Sequence, residues 1–207
     1  MLRLHDNASS GNAYKVRLLL TQLGLGFERI EYDIDRGATR TPEFLRTKNS
    51  NGRIPVLELE DGRCLAESNA ILWFLGEGTP FVPGATNEPE RWLRAEILQW
   101  MFFEQYSHEP NIATLRYWIT HRVEMTPERQ AAAPGKRKLG VAALEVMERH
   151  LATRRFFVGD RYTIADIALY AYTHVAGEGE FDLTPFAAVR AWVSRVAAQP
   201  RYLAING

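Results

Sequence analysis

"IPVLELEDGRCLAES", residues Ile54 to Ser68, is the stretch that decides the fold of the first part of the chain. Two short apolar runs flank the pair Asp61-Gly62, and this arrangement is a strong signal for a tight β-hairpin. A helix pattern follows from about Ser68 to Leu75. The stretch therefore predicts two antiparallel strands and a helix directly after them.

Upstream of the hairpin, strand-like and helix-like patterns alternate. Residues 2–6, "LRLHD", are a candidate strand, and apolar residues within 13–24 fall on one face of a helix. Residues 27–34 alternate as a half-buried strand does, and residues 41–49 suit a short helix with Pro42 in its first turn. The order is β-α-β-α-β-β-α. Because a β-α-β unit implies a parallel pair, we predict a mixed sheet.

Downstream, the character of the chain changes. Gly, Pro and Thr are concentrated in residues 76–90, which indicates a linker. The later segments carry apolar residues at helical spacing, and none alternates as a strand would. We predict an α/β domain over residues 1–78, a linker over residues 79–88 and an all-helical domain over residues 89–207.

Two local signals refine the helical part. Pro110 stands within a long aromatic-rich helix pattern, where it should break or kink the helix because proline lacks the N–H group. The motif "TIAD", Thr163 to Asp166, has the spacing of a capping box. We therefore assign Asp166 to the start of a core helix and not to an active site.

Composition and charge exclude several classes of function. Lys plus Arg and Asp plus Glu both total 25, so the net charge is zero, which argues against nucleic-acid binding by broad electrostatics. The five histidines include no pair at metal-ligand spacing on one helix, and no Gly-rich phosphate loop is present, so no metal or nucleotide is expected.

The single cysteine and the distribution of apolar residues predict a cellular location. Cys64 cannot form an internal disulfide, which fits a reducing compartment, and we interpret it as a small buried apolar residue. The first residues lack the apolar run of a signal peptide, and no stretch approaches the about 18 apolar residues of a membrane span. We expect a cytoplasmic protein that does not associate with membranes.

Four motifs in this order resemble the cytosolic glutathione transferases, in particular the bacterial serine-type (theta/nu-like) members. They are "SSGNAYKVRLLL" (9–20), "NSNGRIPVLELEDG" (49–62), "LAESNAIL" (65–72) and "RYTIADIALY" (161–170). The resemblance implies a thioredoxin-like N-terminal domain that binds glutathione as co-substrate and an all-helical domain that shapes an electrophile pocket. It also implies a homodimeric detoxification enzyme that conjugates the glutathione thiolate to hydrophobic electrophiles.

Such an enzyme must stabilise a thiolate, because a thiol with a pKa near ~8.5 is mostly protonated at neutral pH. A hydroxyl near the positive end of a helix favours the anion. The resemblance assigns this role to Ser10, and it aligns Asn12 with the asparagine of a related bacterial group that also reduces disulfides. From the residues alone, Ser9, Ser10 and Asn12 could simply cap the helix. We predict that Ser10 carries the catalytic hydroxyl. Asn12 either assists Ser10 or takes this role in its place, and Ser9 is only part of the loop.

The resemblance also implies residues that hold the tripeptide. Ile54 would bind the cysteinyl part through its backbone, presented by a cis bond to Pro55, although a proline can also simply begin a strand. Glu67 would pair with the γ-glutamyl ammonium. Ser68 and the amides at its helix start would bind the γ-glutamyl carboxylate, with ordinary capping by Ser68 as the alternative.

The remaining candidates are two cations and two aromatic residues. Arg53 and Lys48 are the cations available for the glycyl carboxylate of glutathione, although loop charges are usually only solvated. Ser50 replaces the proline that the family pattern often has in this loop. Tyr106 and Trp118 are proposed for the electrophile pocket, although aromatic residues at helical spacing usually belong to the core.

Two alternatives remain open. The first is a glutathione-dependent peroxidase or disulfide reductase on the same scaffold, which Asn12 favours. The second is a transferase-like binding protein without turnover, against which the presence of Ser10, Pro55, Glu67 and Ser68 argues. No cysteine stands at the start of the first helix, which excludes a CxxC mechanism.

Overall fold

The structure is a computed structural model that describes residues 1–207. The chain divides into two compact units. The first contains Met1–Glu77 together with Pro200–Gly207, and the second contains Gly78–Gln199. None of the helices is both long and apolar enough to cross a membrane.

The first unit has the predicted order of strands and helices. Its elements are β1 (Leu2–Asp6), α1 (Gly11–Leu23), β2 (Phe27–Glu31), α2 (Pro42–Thr47), β3 (Val56–Glu58), β4 (Cys64–Ala66) and α3 (Ser68–Gly76). The sheet order is β2-β1-β3-β4, with β1 parallel to β2 and antiparallel to β3, and β3 antiparallel to β4. The predicted mixed sheet and thioredoxin-like fold are confirmed.

The hairpin between β3 and β4 forms where Asp61-Gly62 predicts it. The N–H of Leu59 donates to the carbonyl of Arg63 at 2.8 Å, and the N–H of Gly62 donates to the carbonyl of Leu59 at 3.0 Å. Gly62 has φ of +84°, which a side chain would make costly. Three residues therefore form the loop, with glycine in its left-handed position.

Apolar residues from the sheet, α1 and α3 form the core of this unit. Its fully buried members are Leu4, Val16, Leu20, Leu57 and Ile71. Burying each such side chain contributes roughly 1.5–3 kcal/mol, so this cluster fixes α1 and α3 against one face of the sheet. The starts of both helices are thereby held beside the same edge of the sheet.

The last residues of the chain belong to the first unit, although the sequence-based division assigned 200–207 to the helical domain. The side chain of Arg17 donates to the carbonyl of Ile205 at 2.8 Å, and the hydroxyl of Tyr14 donates to the carbonyl of Leu203 at 2.7 Å. Arg17 and Tyr14 are buried donors that need acceptors, and the terminal segment supplies them.

The second unit is helical, as predicted. Its helices are α4 (Glu88–Phe103), α5 (Glu109–Thr120), α6 (Pro127–Leu151), α7 (Ile164–Thr173) and α8 (Ala187–Ala197). A π-helical turn, Glu104–His108, separates α4 from α5, and Pro110 lies in the first turn of α5. The predicted interruption at Pro110 is therefore present, since proline cannot donate the hydrogen bond that would continue α4.

The capping box at the start of α7 is also present. Thr163 accepts a hydrogen bond from the N–H of Ala165, and Asp166 accepts one from the N–H of Thr163 at 2.9 Å. Asp166 is fully buried and also accepts from the N–H of Phe157 and the indole N–H of Trp192. Burial nevertheless raises the pKa of Asp166 to about 6, because desolvation disfavours the charged carboxylate.

Candidate active site

Three segments of the first unit meet at one edge of the sheet. His5 at the end of β1 pairs with Val56 at the start of β3, and Val56 pairs with Ala66 at the end of β4. This register brings together the loop after β1, the loop before β3 and the start of α3. These segments carry Ser10 and Asn12, Ile54 and Pro55, and Glu67 and Ser68 respectively.

Ser10 is the N-cap of α1. Its Oγ accepts a hydrogen bond from the N–H of Ala13 at 3.2 Å, and its backbone is extended. The hydroxyl proton has no acceptor within the structure and Ser10 is half-buried. Capping and thiolate stabilisation are therefore compatible, because capping uses the oxygen as an acceptor and leaves its proton to donate at the positive end of the helix.

Ser9 differs from Ser10 in the use of its hydroxyl. Its Oγ donates to the Oδ1 of Asn7 at 2.6 Å, and its N–H donates to the same oxygen. Arg17, a residue that the sequence reasoning overlooked, fixes this loop by donating to the carbonyls of Asn7 and Ala8. Its NH1 nitrogen also contacts both carboxylate oxygens of buried Asp6, at 2.7 and 2.8 Å.

The start of α3 is unusual in its backbone. Glu67 is the N-cap, with φ of +68° and ψ of 110°, and its side chain makes no capping hydrogen bond. Such a conformation costs a non-glycine residue roughly 1–3 kcal/mol and is concentrated at functional sites. Ser68 is the first helical residue and not the cap, which removes ordinary capping by Ser68 as an explanation. The amide N–H groups of the first turn of α3 therefore receive no capping hydrogen bond from the side chain of Glu67.

A buried polar network joins the starts of α1 and α3. The Oγ of Ser68 donates to the Oδ1 of Asn12 at 3.3 Å. Fully buried Lys15 donates from Nζ to the Oγ of Ser68 at 3.4 Å and to the Oδ1 of Asn69 at 3.5 Å. The structure thus places Asn12 and Ser68 in direct contact, and Ser68 also contacts Lys15, which the sequence reasoning did not select.

The loop before β3 holds the remaining backbone candidates. The Ile54–Pro55 peptide bond is cis, Pro55 is buried and Ile54 is half-buried. Arg53 is exposed and its side chain makes no hydrogen bond or ion pair, whereas its carbonyl accepts from the side chain of Asn49 at 2.9 Å. Arg53 therefore has its charge available for an anion.

Lys48, in contrast, is already paired. Its Nζ donates to an oxygen of Glu58, which also contacts His5 Nε2 at 2.8 Å, and Arg3 lies 3.2 Å from the other oxygen. Hydrogen bonds from Lys48 and His5 hold the pKa of Glu58 down, at about 2, and the pairing raises the pKa of Lys48. Burial lowers the pKa of His5.

Cys64 and the aromatic candidates are on other elements, Cys64 on β4 and the two aromatic residues in the second unit. Cys64 lies on β4 opposite Glu58 and is half-buried, and burial raises the pKa of its thiol. Tyr106 lies in the π-helical turn and is 88% exposed, and Trp118 lies on α5 and is half-buried. Their role in an electrophile pocket stays a prediction. No group of three His, Cys, Asp or Glu side chains is arranged to hold a metal ion.

Comparison with known protein families matches both units. A family model described as "Glutathione S-transferase, N-terminal domain" matches residues 1–77. A second, described as "Glutathione S-transferase, C-terminal domain", matches residues 100–200.

Individual proteins support the same relationship. A solved glutathione S-transferase from Pseudomonas fluorescens Pf-5 is 48% identical, covers 99% of this chain and 98% of its own, and has a TM-score of 0.91. Ure2p, solved in complex with glutathione, is 26% identical over 97% of this chain and 91% of its own, with a TM-score of 0.83. Elongation factor 1-gamma from Rattus norvegicus is 32% identical over 173 residues, 81% of this chain and 37% of its own length.

Proposed function

Because the chain belongs to the glutathione S-transferase family, we propose that it binds glutathione and conjugates its thiolate to hydrophobic electrophiles. The observation that carries the proposal is the convergence of Ser10, cis-Pro55 and the uncapped start of α3 at one edge of the sheet. A relative of similar fold, Ure2p, was solved with glutathione bound, which supports the choice of ligand.

The proposed chemistry begins with ionisation of the thiol. The Ser10 hydroxyl donates to the glutathione sulfur while its oxygen still accepts from Ala13. A hydrogen bond to the charged form, together with the positive end of α1, lowers the pKa of the thiol. The thiolate then attacks the electrophile, and holding both reactants in one site supplies much of the acceleration.

The proposed binding mode uses backbone groups and charges in turn. The N–H and carbonyl of Ile54 pair with the cysteinyl backbone, as an added strand would. The amides of the first turn of α3, with Ser68, receive the γ-glutamyl carboxylate, and exposed Glu67 receives the ammonium. Arg53 is favoured over Lys48 for the glycyl carboxylate, because Lys48 is paired with Glu58.

Calorimetry with glutathione and turnover of an aryl halide test the proposal. We expect millimolar or tighter binding, and Ser10→Ala should lower turnover by about 10- to 100-fold, the effect of one hydrogen bond to a charged group. Ser9→Ala is the matched control, since the Ser9 hydroxyl is used within the loop, and it should retain activity. Absence of glutathione binding would refute the proposed function.

A reductase or peroxidase is the second candidate, favoured by the position of Asn12 beside Ser68 at the same edge. Turnover of a hydroperoxide and of a mixed disulfide separates it from a transferase. If Asn12→Ala abolishes these activities while Ser10→Ala retains them, the reductase assignment replaces ours. The similarity to elongation factor 1-gamma supports the third candidate, a binding protein, which binding without any turnover would favour.

We also propose a homodimer that acts in the cytoplasm as a detoxification enzyme. Large apolar side chains are exposed on two helices: Phe74 on α3 is 51% exposed, and Trp92 and Phe102 on α4 are 63% and 68% exposed. A second copy of the chain is the partner that would cover them. In a sedimentation experiment, Phe102→Lys should shift the protein from dimer toward monomer. Leu139→Lys on α6 is the control and should leave the dimer unchanged. Cell fractionation tests the location.

A further inference from the structure

Lys15 is a buried charged residue of the first unit. It lies on α1 between Tyr14 and Val16, and like both of them it is fully buried. Charged side chains are almost never fully buried unless they have specific partners, because removal from water is costly. The partners of Lys15 include Ser68 Oγ at 3.4 Å and Asn69 Oδ1 at 3.5 Å, both at the start of α3.

The direction of these hydrogen bonds determines what Ser68 can do. A serine hydroxyl has one proton, which Ser68 donates to Asn12, and its oxygen accepts from Lys15. When a carboxylate reaches the first turn of α3, the proton can turn from Asn12 toward it. The oxygen need not move, because Lys15 continues to hold it.

The structure assigns Lys15 as a positioning residue for the γ-glutamyl half of the glutathione site. It holds the Ser68 oxygen and the first turn of α3 in place through its hydrogen bonds to Ser68 and Asn69. This inference rests on the proposed function, since it assumes that glutathione binds at this edge.

The role predicts a particular kinetic signature. Lys15 acts through Ser68 on the carboxylate of the ligand, whereas Ser10 is the group assigned to the sulfur. Loss of Lys15 should therefore raise the KM for glutathione and leave kcat at saturation and the pKa of the bound thiol unchanged. If Lys15 served folding alone, its loss would lower the amount of folded enzyme and would not raise the KM while leaving kcat unchanged.

The test compares Lys15→Met with the wild type on two thiol substrates and an aryl halide. For glutathione, kcat/KM should fall about 10-fold or more, as expected when a charged donor is removed. For cysteinylglycine, which lacks the γ-glutamyl group, kcat/KM should stay unchanged. In a Ser68→Ala background the same substitution should have little further effect, because the two residues act as one unit.

Val16→Ala is the matched control, since Val16 is buried on the same helix and packs in the apolar core cluster. It should lower the melting temperature and leave the KM for glutathione unchanged. If Lys15→Met does not fold, Lys15→Gln, which keeps a donor without the charge, is measured in the same cycle.

Equal losses on both thiols, no loss, or full additivity with Ser68→Ala would overturn the role of Lys15. Failure of the wild type to bind glutathione by calorimetry would instead refute the proposed function.

Discussion

Two helices of this protein begin in opposite ways. At the start of α7, Thr163 and Asp166 satisfy each other's backbone groups, and Asp166 also accepts from Phe157 and Trp192. At the start of α3, the N-cap residue Glu67 adopts a left-handed φ and its side chain makes no capping hydrogen bond. The first start is complete within the protein. The second retains donors and strain, as expected where a ligand completes the hydrogen bonding.

The largest effect that separates the two starts should come from Asp166→Ala. The substitution leaves the buried donors of Phe157, Thr163 and Trp192 without their acceptor, so we expect a loss of about 3 kcal/mol or more in the free energy of unfolding. Urea denaturation measures this loss. The glutathione affinity of the remaining folded protein should not change, and a selective loss of affinity would place Asp166 in the site after all.

The pH dependence of stability isolates the charge of Asp166. Burial raises its pKa to about 6 from an ordinary value of 3.8, so the folded chain binds more protons than the unfolded chain between these values. This carboxyl should therefore lower stability by about 3 kcal/mol as the pH rises from about 4 to 6. Asp166→Asn, which cannot ionise, should remove that decrease from the stability profile. An unchanged profile would show that the decrease arises elsewhere.

At the start of α3, Ser68→Ala should affect binding more than folding. Ser68 is buried but contributes only hydrogen bonds to Asn12 and Lys15, so the loss of stability should be about 1 kcal/mol. Glutathione affinity should fall about 10-fold, because the hydroxyl and the order of the first turn are both lost. Calorimetry and urea denaturation on the same preparation compare the two quantities. Similar losses in both would erase the contrast with α7.

Local patterns were sufficient to predict much of the fold. Asp61-Gly62 predicts the hairpin, Pro42 marks the first turn of α2, and Thr163 with Asp166 predicts the capping box, since each depends on neighbours in sequence. Lys15 could not be predicted in this way, because the periodicity of α1 places it away from the apolar face. The structure buries α1 on nearly all sides, and that burial depends on residues distant in sequence.

The same limit applies to the candidate site. The resemblance of motifs selected Ser10, Pro55 and Ser68, and the strand register brings their segments to one edge. It did not reveal that Lys48 is paired with Glu58, because that contact depends on the packing of the loop against the sheet. Nor did it reveal the association of residues 200–207 with the first unit, which depends on the buried donors of Tyr14 and Arg17.

Glu67→Gly should give the smallest change in the free energy of unfolding, and it tests directly whether the backbone at the start of α3 is strained. Glycine adopts a φ of +68° without the steric cost that glutamate incurs, but it loses more backbone freedom on folding. The relief of strain exceeds the entropy cost, so we expect a net gain of about 1 kcal/mol in the free energy of unfolding, measured by urea denaturation.

Glutathione affinity should fall in the same variant, because the carboxylate assigned to the γ-glutamyl ammonium is removed. Glu67→Gln, which keeps the strain and removes the charge, is the control and should lose affinity without gaining stability. A variant that gains stability at the expense of binding is the behaviour of a site where backbone strain serves a ligand. If Glu67→Gly is instead less stable than the wild type, the left-handed φ of Glu67 is not a source of strain, and the contrast between the starts of α3 and α7 reduces to their capping alone.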